Sequence, residues 1–507
     1  MPMGSPIGPQ AGSTLTSLFL DRTNVFPARP AIASGARVLT YAEVDARTRR
    51  LAGHLAAEGV SRGDTVAVLS ENCTEYLELF LAAGRLGAVI ACQNWRLAEP
   101  ELRHCLELAA PRLVFVSPRH RERLTALGWS DARTVVFGQA YERILAAAPP
   151  SDAMVAEPED PLMLLYTSGT TGLPKAAAIS HRALVARNLV VRAEYHLEDA
   201  DTYVAWSPMY HMGGSEYSLG TLMSGGKVIV VDGFDPDRLA TIVSNEPLGW
   251  LLLMPGMVGR FVETMRARDV VPKGIRVCGV MPDLSPVADI AAATTLLNAP
   301  FANSFGATET GNPPTSAGLI PIGVAPTDLR KKQSIYCEVR LIDTEGNDVP
   351  NGVPGELLMR GPTLFSGYWR APEATEEAFR DGWYHMGDAF VRNADGSLSF
   401  VDRVKYLIKS GGENIYPAEI ERVLLQDPRV ADAGVVRRTD DKWGEVPVAF
   451  VARADDNLSA EDLFALCREK LAGYKQPKDL HFIAFDDFPR SASGKIQRHE
   501  LEKLLPR

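Results

Sequence analysis

At 507 residues the chain exceeds the roughly 250–300 residues over which a single core keeps growing, so more than one domain is expected. Its 46% hydrophobic and 23% charged composition excludes a disordered chain and a membrane bundle. A net charge of -10 without any Lys/Arg-rich block leaves nothing to track a nucleic-acid backbone, so any phosphate bound is expected to belong to a small molecule.

The start, MPMGSPIGPQAGSTLT, lacks the basic and apolar regions of a secretory leader, which predicts a cytoplasmic protein. The most apolar windows, such as GWLLLMPGMVG, fall far short of the ~18 residues of a membrane span. Cys73, Cys92, Cys105, Cys278, Cys337 and Cys467 are scattered, without a C-x-x-C pair or zinc spacing, and read as buried free thiols.

From the N-terminus to about residue 400, amphipathic stretches such as YAEVDARTRRLAGHLAAEG alternate with short β-branched runs: TVAVLS, RLVFVS, KVIVVD, GWLLLM and GIRVCGVM. This predicts α/β layers with largely parallel sheets. From about Val339 the texture changes to short strands between Gly/Asn/Asp/Pro turns (VRLIDTEGNDVPNGVPGELLMRG, RNADGSLSFVDR), the pattern of an antiparallel or barrel-like subdomain. After Arg403 the pattern is α+β, with YPAEIERVLLQD a helix opened by proline and EVPVAFVARA a strand.

Within the first region, YTSGTTGLPK concentrates the means to hold a phosphate. Gly169 and Gly172 let the backbone approach closely, and Thr167, Ser168, Thr170, Thr171 and Lys175 supply donors. G-x-x-x-x-G-K-[ST] is absent, and the AAAIS that follows predicts a strand, so the loop is expected to be mobile and to lie between two strands. Taken alone, the stretch reads equally as a solvated turn.

Four further segments accompany it in order: NSFGATE, YHMGDAF, DRVKYLIKSGGENIYPAEIE and PRSASGKIQR. With them the chain resembles the adenylate-forming superfamily of acyl-CoA synthetases, stand-alone adenylation domains and beetle luciferases, from about residue 15 to the C-terminus. The resemblance implies an α/β fold: a large N-terminal domain (1–404) of two α/β subdomains plus a β-barrel-like subdomain, and a small mobile α+β C-terminal domain (405–507). It also implies ATP, Mg²⁺ and coenzyme A as cosubstrates and metal, with a small-molecule carboxylic acid as the group activated. Nucleic acid and integral membrane association are not expected, and a homodimer is the default assembly.

The same resemblance distributes roles. Asn303, Phe305 and Gly306 match the adenine motif, with Phe305 stacking where Tyr is more usual. Thr308 meets the α-phosphate and Glu309 is the metal ligand, although Thr308-Glu309-Thr310 read locally also suits a helix N-cap. Asp388 and Arg403 match the ribose-binding pair, and Lys405 the hinge. Lys495 matches the lysine that serves adenylation, and Gly411 and Gly412 the loop that admits pantetheine for thioester formation. Tyr210, His211, Gly213, Val280 and Met281 fall at the acyl pocket, with His211 a wall or gate.

Two stretches depart from the family pattern. CGVMPDLSP stands where Gly-Gly-Ala-Pro is usual, placing Val280 and Met281 over Gly and Ala and inserting a residue near Asp283; residues 312–334 lose the pattern altogether. The implied activity is an AMP-forming acid-CoA ligase for a small-to-medium, cyclic or aromatic acid. A ligase loading a carrier-protein phosphopantetheine and a catalytically degenerate ATP-binding protein are the alternatives.

Overall fold

The computed structural model describes residues 12–129, 133–167, 173–411, 413–490 and 496–505. The chain divides into two compact units, Met1–Glu338 with Arg360–Tyr384, and Val339–Met359 with His385–Arg507.

The first unit is built on two sheets. In one, the order is Thr134–Val136, Leu113–Val116, Thr65–Leu69, Val89–Cys92, Pro161–Thr167, Lys175–Ser180. All neighbours are parallel except the last pair. Thr65–Leu69 is buried at every position, so it reads as a continuous apolar run rather than an alternating one. It leads through the helix Thr74–Leu86 to Val89–Cys92; Gly87 ends that helix at φ +66°, a left-handed cap that glycine adopts without strain.

The other sheet has eight strands in the order Leu319–Ile320, Phe301–Ala302, Ile275–Cys278, Leu248–Leu251, Thr202–Ala205, Val228–Val230, Pro30–Ser34, Arg37–Thr40. Its interior pairs are parallel and its two edge pairs antiparallel. Leu239, Phe261, Ile290 and Phe301 belong to the core packed against it. Where parallel strands end at their carboxyl edge, the following loops are free to carry ligand contacts. Two loops important below leave Ile275–Cys278 and Phe301–Ala302 at that edge.

The second unit holds most of an antiparallel pair, Trp383–Arg392 with Leu398–Arg403, flanked by Pro354–Arg360 and Glu338–Ile342. A second sheet orders Glu413–Ile415, Ile408–Ser410, Gly444–Arg453 and Val430–Asp440, with Asp479–Phe482 added parallel to Gly444–Arg453. The helices Pro417–Leu424 and Ala460–Lys470 supply Ile420, Leu424 and Leu463 to its core. The α/β layers, the antiparallel texture after Val339 and the final α+β segment all take the form that the sequence predicts. Among the described residues no helix is long and apolar enough to cross a membrane.

Candidate active site

Pro161–Thr167 and Lys175–Ser180 pair antiparallel with Thr167 opposite Lys175, which brings the two ends of the phosphate stretch together. Ser168, Gly169, Thr170, Thr171 and Gly172 lie outside the described residues. The Tyr166 hydroxyl anchors the first strand by donating to Cys105 O at 2.9 Å and accepting from Gln93 Nε2 at 2.9 Å. The Lys175 ammonium lies 5.1 Å from the centroid of the Tyr368 ring.

Glu309 sits on a β-hairpin, which excludes the helix N-cap that its local sequence also suits. Phe305–Ala307 pairs with Gly311–Thr315, and Thr308, Glu309 and Thr310 form the turn. The Thr310 hydroxyl closes the turn by accepting from Ala307 N at 3.0 Å. Gly306 is required here, because a Cβ would lie 2.0 Å from Gly311 O. Glu309 is buried, and Tyr368 Oη donates to its Oε1 at 2.9 Å. Tyr368 thus reaches both the lysine and the glutamate. Beneath the hairpin, Arg187 and Glu216 form a fully buried ion pair, and Arg187 Nε donates to Thr363 O at 2.8 Å.

Asn303 lies in the loop leaving Phe301–Ala302 and Phe305 begins the hairpin strand that follows it, with Phe305 partly exposed and Asn303 buried. Both ends of the Asn303 amide are engaged: Oδ1 accepts from Lys331 Nζ at 2.6 Å, and Nδ2 donates to Arg330 O at 2.9 Å. Val280 and Met281 follow Ile275–Cys278 and are partly buried, and Met281 adopts φ +50°, a strained angle for a bulky side chain.

His211 caps the start of the helix Met212–Ser224, and its ring packs on Tyr210 with centroids 4.8 Å apart. Desolvation by the surrounding protein and the nearby Arg96 cation push the imidazole down to about 4, although His211 as a residue is exposed. A neutral ring suits a wall. Gly213 has no room to spare, since a Cβ would meet Leu252 Cδ2 at 3.0 Å and Ser207 Oγ at 3.2 Å. One turn on, Tyr217 packs against Trp250 with centroids 4.6 Å apart and donates to Asn312 Oδ1 at 2.5 Å.

In the second unit Asp388 and Arg403 are cross-strand partners, and Arg403 Nε meets Asp388 Oδ1 at 2.7 Å. The carboxylate is buried, whereas the guanidinium is 45% exposed and has surface left to offer a ligand. Lys405 lies in the short turn Val404–Tyr406, exposed, its ammonium 4.8 Å from the Tyr406 ring centroid. Ser410 pairs with Glu413 across a hairpin, and Gly411 follows Ser410 at its turn. Gly411 takes φ +59°, and a Cβ there would meet the Trp443 ring at 2.7 Å. Gly412 and Lys495 lie outside the described residues.

Described residues bracket the lysine segment on both sides. Arg490 and Ile496 form an antiparallel bridge, and Arg490 Nη2 donates to Asp432 Oδ2 at 2.5 Å. Arg498 donates to Asp402 Oδ1 at 3.0 Å and to Glu421 Oε2 at 2.6 Å. Sequence reasoning missed Tyr368, Arg498 and Lys331. An aromatic pair, Tyr368-Trp369, directly after Ser366-Gly367 was the available signal for the first; Arg498 closes the PRSASGKIQR segment, and Lys331 carries no signal.

Among the described residues no cluster of three or more His, Cys, Asp or Glu could enclose a metal. Glu309 offers one hard, buried carboxylate steadied by a tyrosine, which fits Mg²⁺ shared with nucleotide oxygens rather than a cation held by protein alone.

The model of the AMP-binding enzyme family matches residues 19–369, and that of the AMP-binding enzyme C-terminal domain matches residues 419–495. A feruloyl-CoA synthase from Amycolatopsis sp is 36% identical over 490 residues, covering 95% of this chain and 97% of the relative. An indoleacetate-CoA ligase from Aromatoleum aromaticum is 33% identical, covering 97% and 98%. Among solved structures, o-succinylbenzoate CoA synthetase from Bacillus subtilis with its acyl-adenylate intermediate superposes with a TM-score of 0.81 at 26% identity, covering 96% of this chain and 97% of that one.

Proposed function

This chain belongs to the AMP-binding enzyme family, and from that premise we propose that it is a cytoplasmic, ATP-dependent acid-CoA ligase for a small-to-medium, cyclic or aromatic carboxylic acid. The enzyme class, an AMP-forming acid-thiol ligase, follows from full-length relatives that are CoA ligases. The observation that carries the reading is the Lys175–Tyr368–Glu309 line, in which one tyrosine ring meets both the lysine proposed for the phosphates and the carboxylate proposed for the metal.

In the first half-reaction the acid carboxylate attacks the α-phosphorus of ATP, giving acyl-adenylate and pyrophosphate. Charge builds on phosphoryl oxygens, so preorganised donors are the main catalytic resource. Lys175 and the hydroxyls of 167–171 hold the β- and γ-phosphates, and Thr308 donates to the α-phosphate. Mg²⁺ on Glu309 supplies neutralisation of the phosphate oxygens when bound. Phe305 stacks on adenine, while Asp388 accepts from the ribose diol beside Arg403. Lys495 neutralises the acid carboxylate and the α-phosphate as they meet.

In the second half-reaction the CoA thiolate displaces AMP at the acyl carbon. Rotation at Lys405, dividing 1–404 from 405–507, withdraws Lys495 and brings Gly411 and Gly412 forward to admit pantetheine. A panel of carboxylic acids assayed for AMP release, with and without CoA, tests the reading. Acyl-CoA formation with a cyclic or aromatic acid supports it. Acid-dependent AMP with transfer only to a carrier protein, or no AMP with any acid, overturns it in favour of a carrier-loading ligase or a degenerate nucleotide binder.

A further inference from the structure

The two loops that leave the carboxyl edge of neighbouring parallel strands are joined by a residue from neither. Cys278 pairs with Phe301, and beyond those strands run the loop through Val280, Met281 and Asp283 and the loop through Asn303 that leads to Phe305. Between them stands Lys331, fully buried, with Nζ donating to Asp283 Oδ2 at 2.5 Å and to Asn303 Oδ1 at 2.6 Å. Asn303 is held further by its Nδ2 bond to Arg330 O and by its backbone N–H bond to Gly318 O, each 2.9 Å.

Each member comes from sequence without a local signal for the role. Asp283 lies by the residue inserted relative to the family pattern, and Lys331 lies in the stretch where that pattern is lost. A buried ammonium persists only when its acceptors stay in place, because removing one partner leaves a charge the interior cannot solvate. The interaction therefore constrains both loops as strongly as it holds the lysine. Met281 requires such an anchor, since a left-handed, bulky residue keeps its angle only where its surroundings dictate it.

We infer that Lys331, Asp283 and Asn303 form a strut of positioning residues that sets the separation between the adenine platform at Phe305 and the acyl wall at Val280 and Met281. On this assignment Asn303 orients the platform through its amide rather than reading the adenine edge. The inference rests on the proposed function for the identity of the two walls, and adds that the same polar triad governs the fit of nucleotide and acid together.

The test uses full-length Asp283→Asn, Asp283→Glu and Lys331→Met. KM for ATP and for the acid, kcat, thermal midpoint and ATP affinity by calorimetry are measured for each. Asp283→Asn, at a side chain 31% exposed, keeps shape and removes charge. It is expected to raise KM for both ATP and acid by about tenfold or more, within the ~10²-fold penalty of a 1 Å misplacement, together with a lower thermal midpoint from the uncompensated Lys331 ammonium, so the constants are measured well below that midpoint. Asp283→Glu should recover most of that loss, and Lys331→Met should match or exceed it. Asp283→Asn constants within twofold of wild type overturn the strut even if Lys331→Met fails to fold; so does a loss confined to kcat or to thermal stability. Should the wild type activate no acid, the proposed function fails separately, and calorimetry still decides the nucleotide arm: unchanged ATP affinity in Asp283→Asn overturns the strut, and weakened affinity supports it.

Discussion

Tyr368 Oη donates to Glu309 Oε1 at 2.9 Å, and this hydrogen bond joins a loop residue to a hairpin turn 59 positions earlier in the chain. The same ring faces the Lys175 ammonium. Tyr368→Phe keeps the ring and removes only the donor to the carboxylate. Partners that orient a metal-ligating group typically contribute about 10–100-fold to affinity or activity. The Mg²⁺ concentration for half-maximal adenylation should therefore rise by about tenfold, read by titrating Mg²⁺ at fixed ATP, with thermal stability preserved.

Lys495→Ala should abolish adenylation, since removing one preorganised charge from such a transition state typically costs about 10²–10³ in rate. Thioester formation from supplied acyl-adenylate should persist. Stopped assays of the two half-reactions separate these, and equal loss in both would refute a role confined to the first.

Lys405→Pro should do the reverse. Fixing φ at the proposed hinge hinders rotation but leaves the adenylation orientation accessible. Acyl-AMP is expected to form and remain bound, visible by chromatography of the quenched enzyme. Thioester synthesis at the native rate would refute the hinge.

Val280→Gly with Met281→Ala should widen acceptance toward longer and bulkier acids. On the proposed assignment the native side chains remove volume from the acyl space, and forcing extra methylenes into a packed wall costs about 1–3 kcal/mol. Competition assays should show palmitate below hexanoate, benzoate or a cyclic acid for the wild type, and a narrower gap for the variant. A wild type that prefers palmitate would refute the assignment of this wall.

His181 provides a pH prediction. It is fully buried, its Nδ1 accepts from Leu15 N, and burial pushes its imidazole down to about 4 from 6.5. The unfolded chain therefore binds a proton at this site at a pH where the folded chain does not. The contribution is fully present above pH ~6.5 and is lost as pH falls toward 4, at most about 3 kcal/mol. His181→Gln should show a shallower fall in thermal midpoint over that window than the wild type, followed by calorimetry at stepped pH.

The sequence by itself determined the α/β layering, the strands on both sides of the phosphate stretch, the antiparallel texture after Val339 and the ordered set of candidate residues. Those signals are local: β-branched runs, turn residues and contiguous donors act within about ten positions of each other. Thr308, Glu309 and Thr310 read locally as a helix N-cap, whereas the structure turns a hairpin there, because the capping pattern and the turn pattern use the same residue types. Tertiary structure decided the partners. Asp283 and Lys331 stand 48 positions apart, Glu309 and Tyr368 59, and Asp402 and Arg498 96. Nothing local marks such pairs, since which loops meet depends on the order of strands in a sheet, and that order is set by burying whole faces rather than by any one residue.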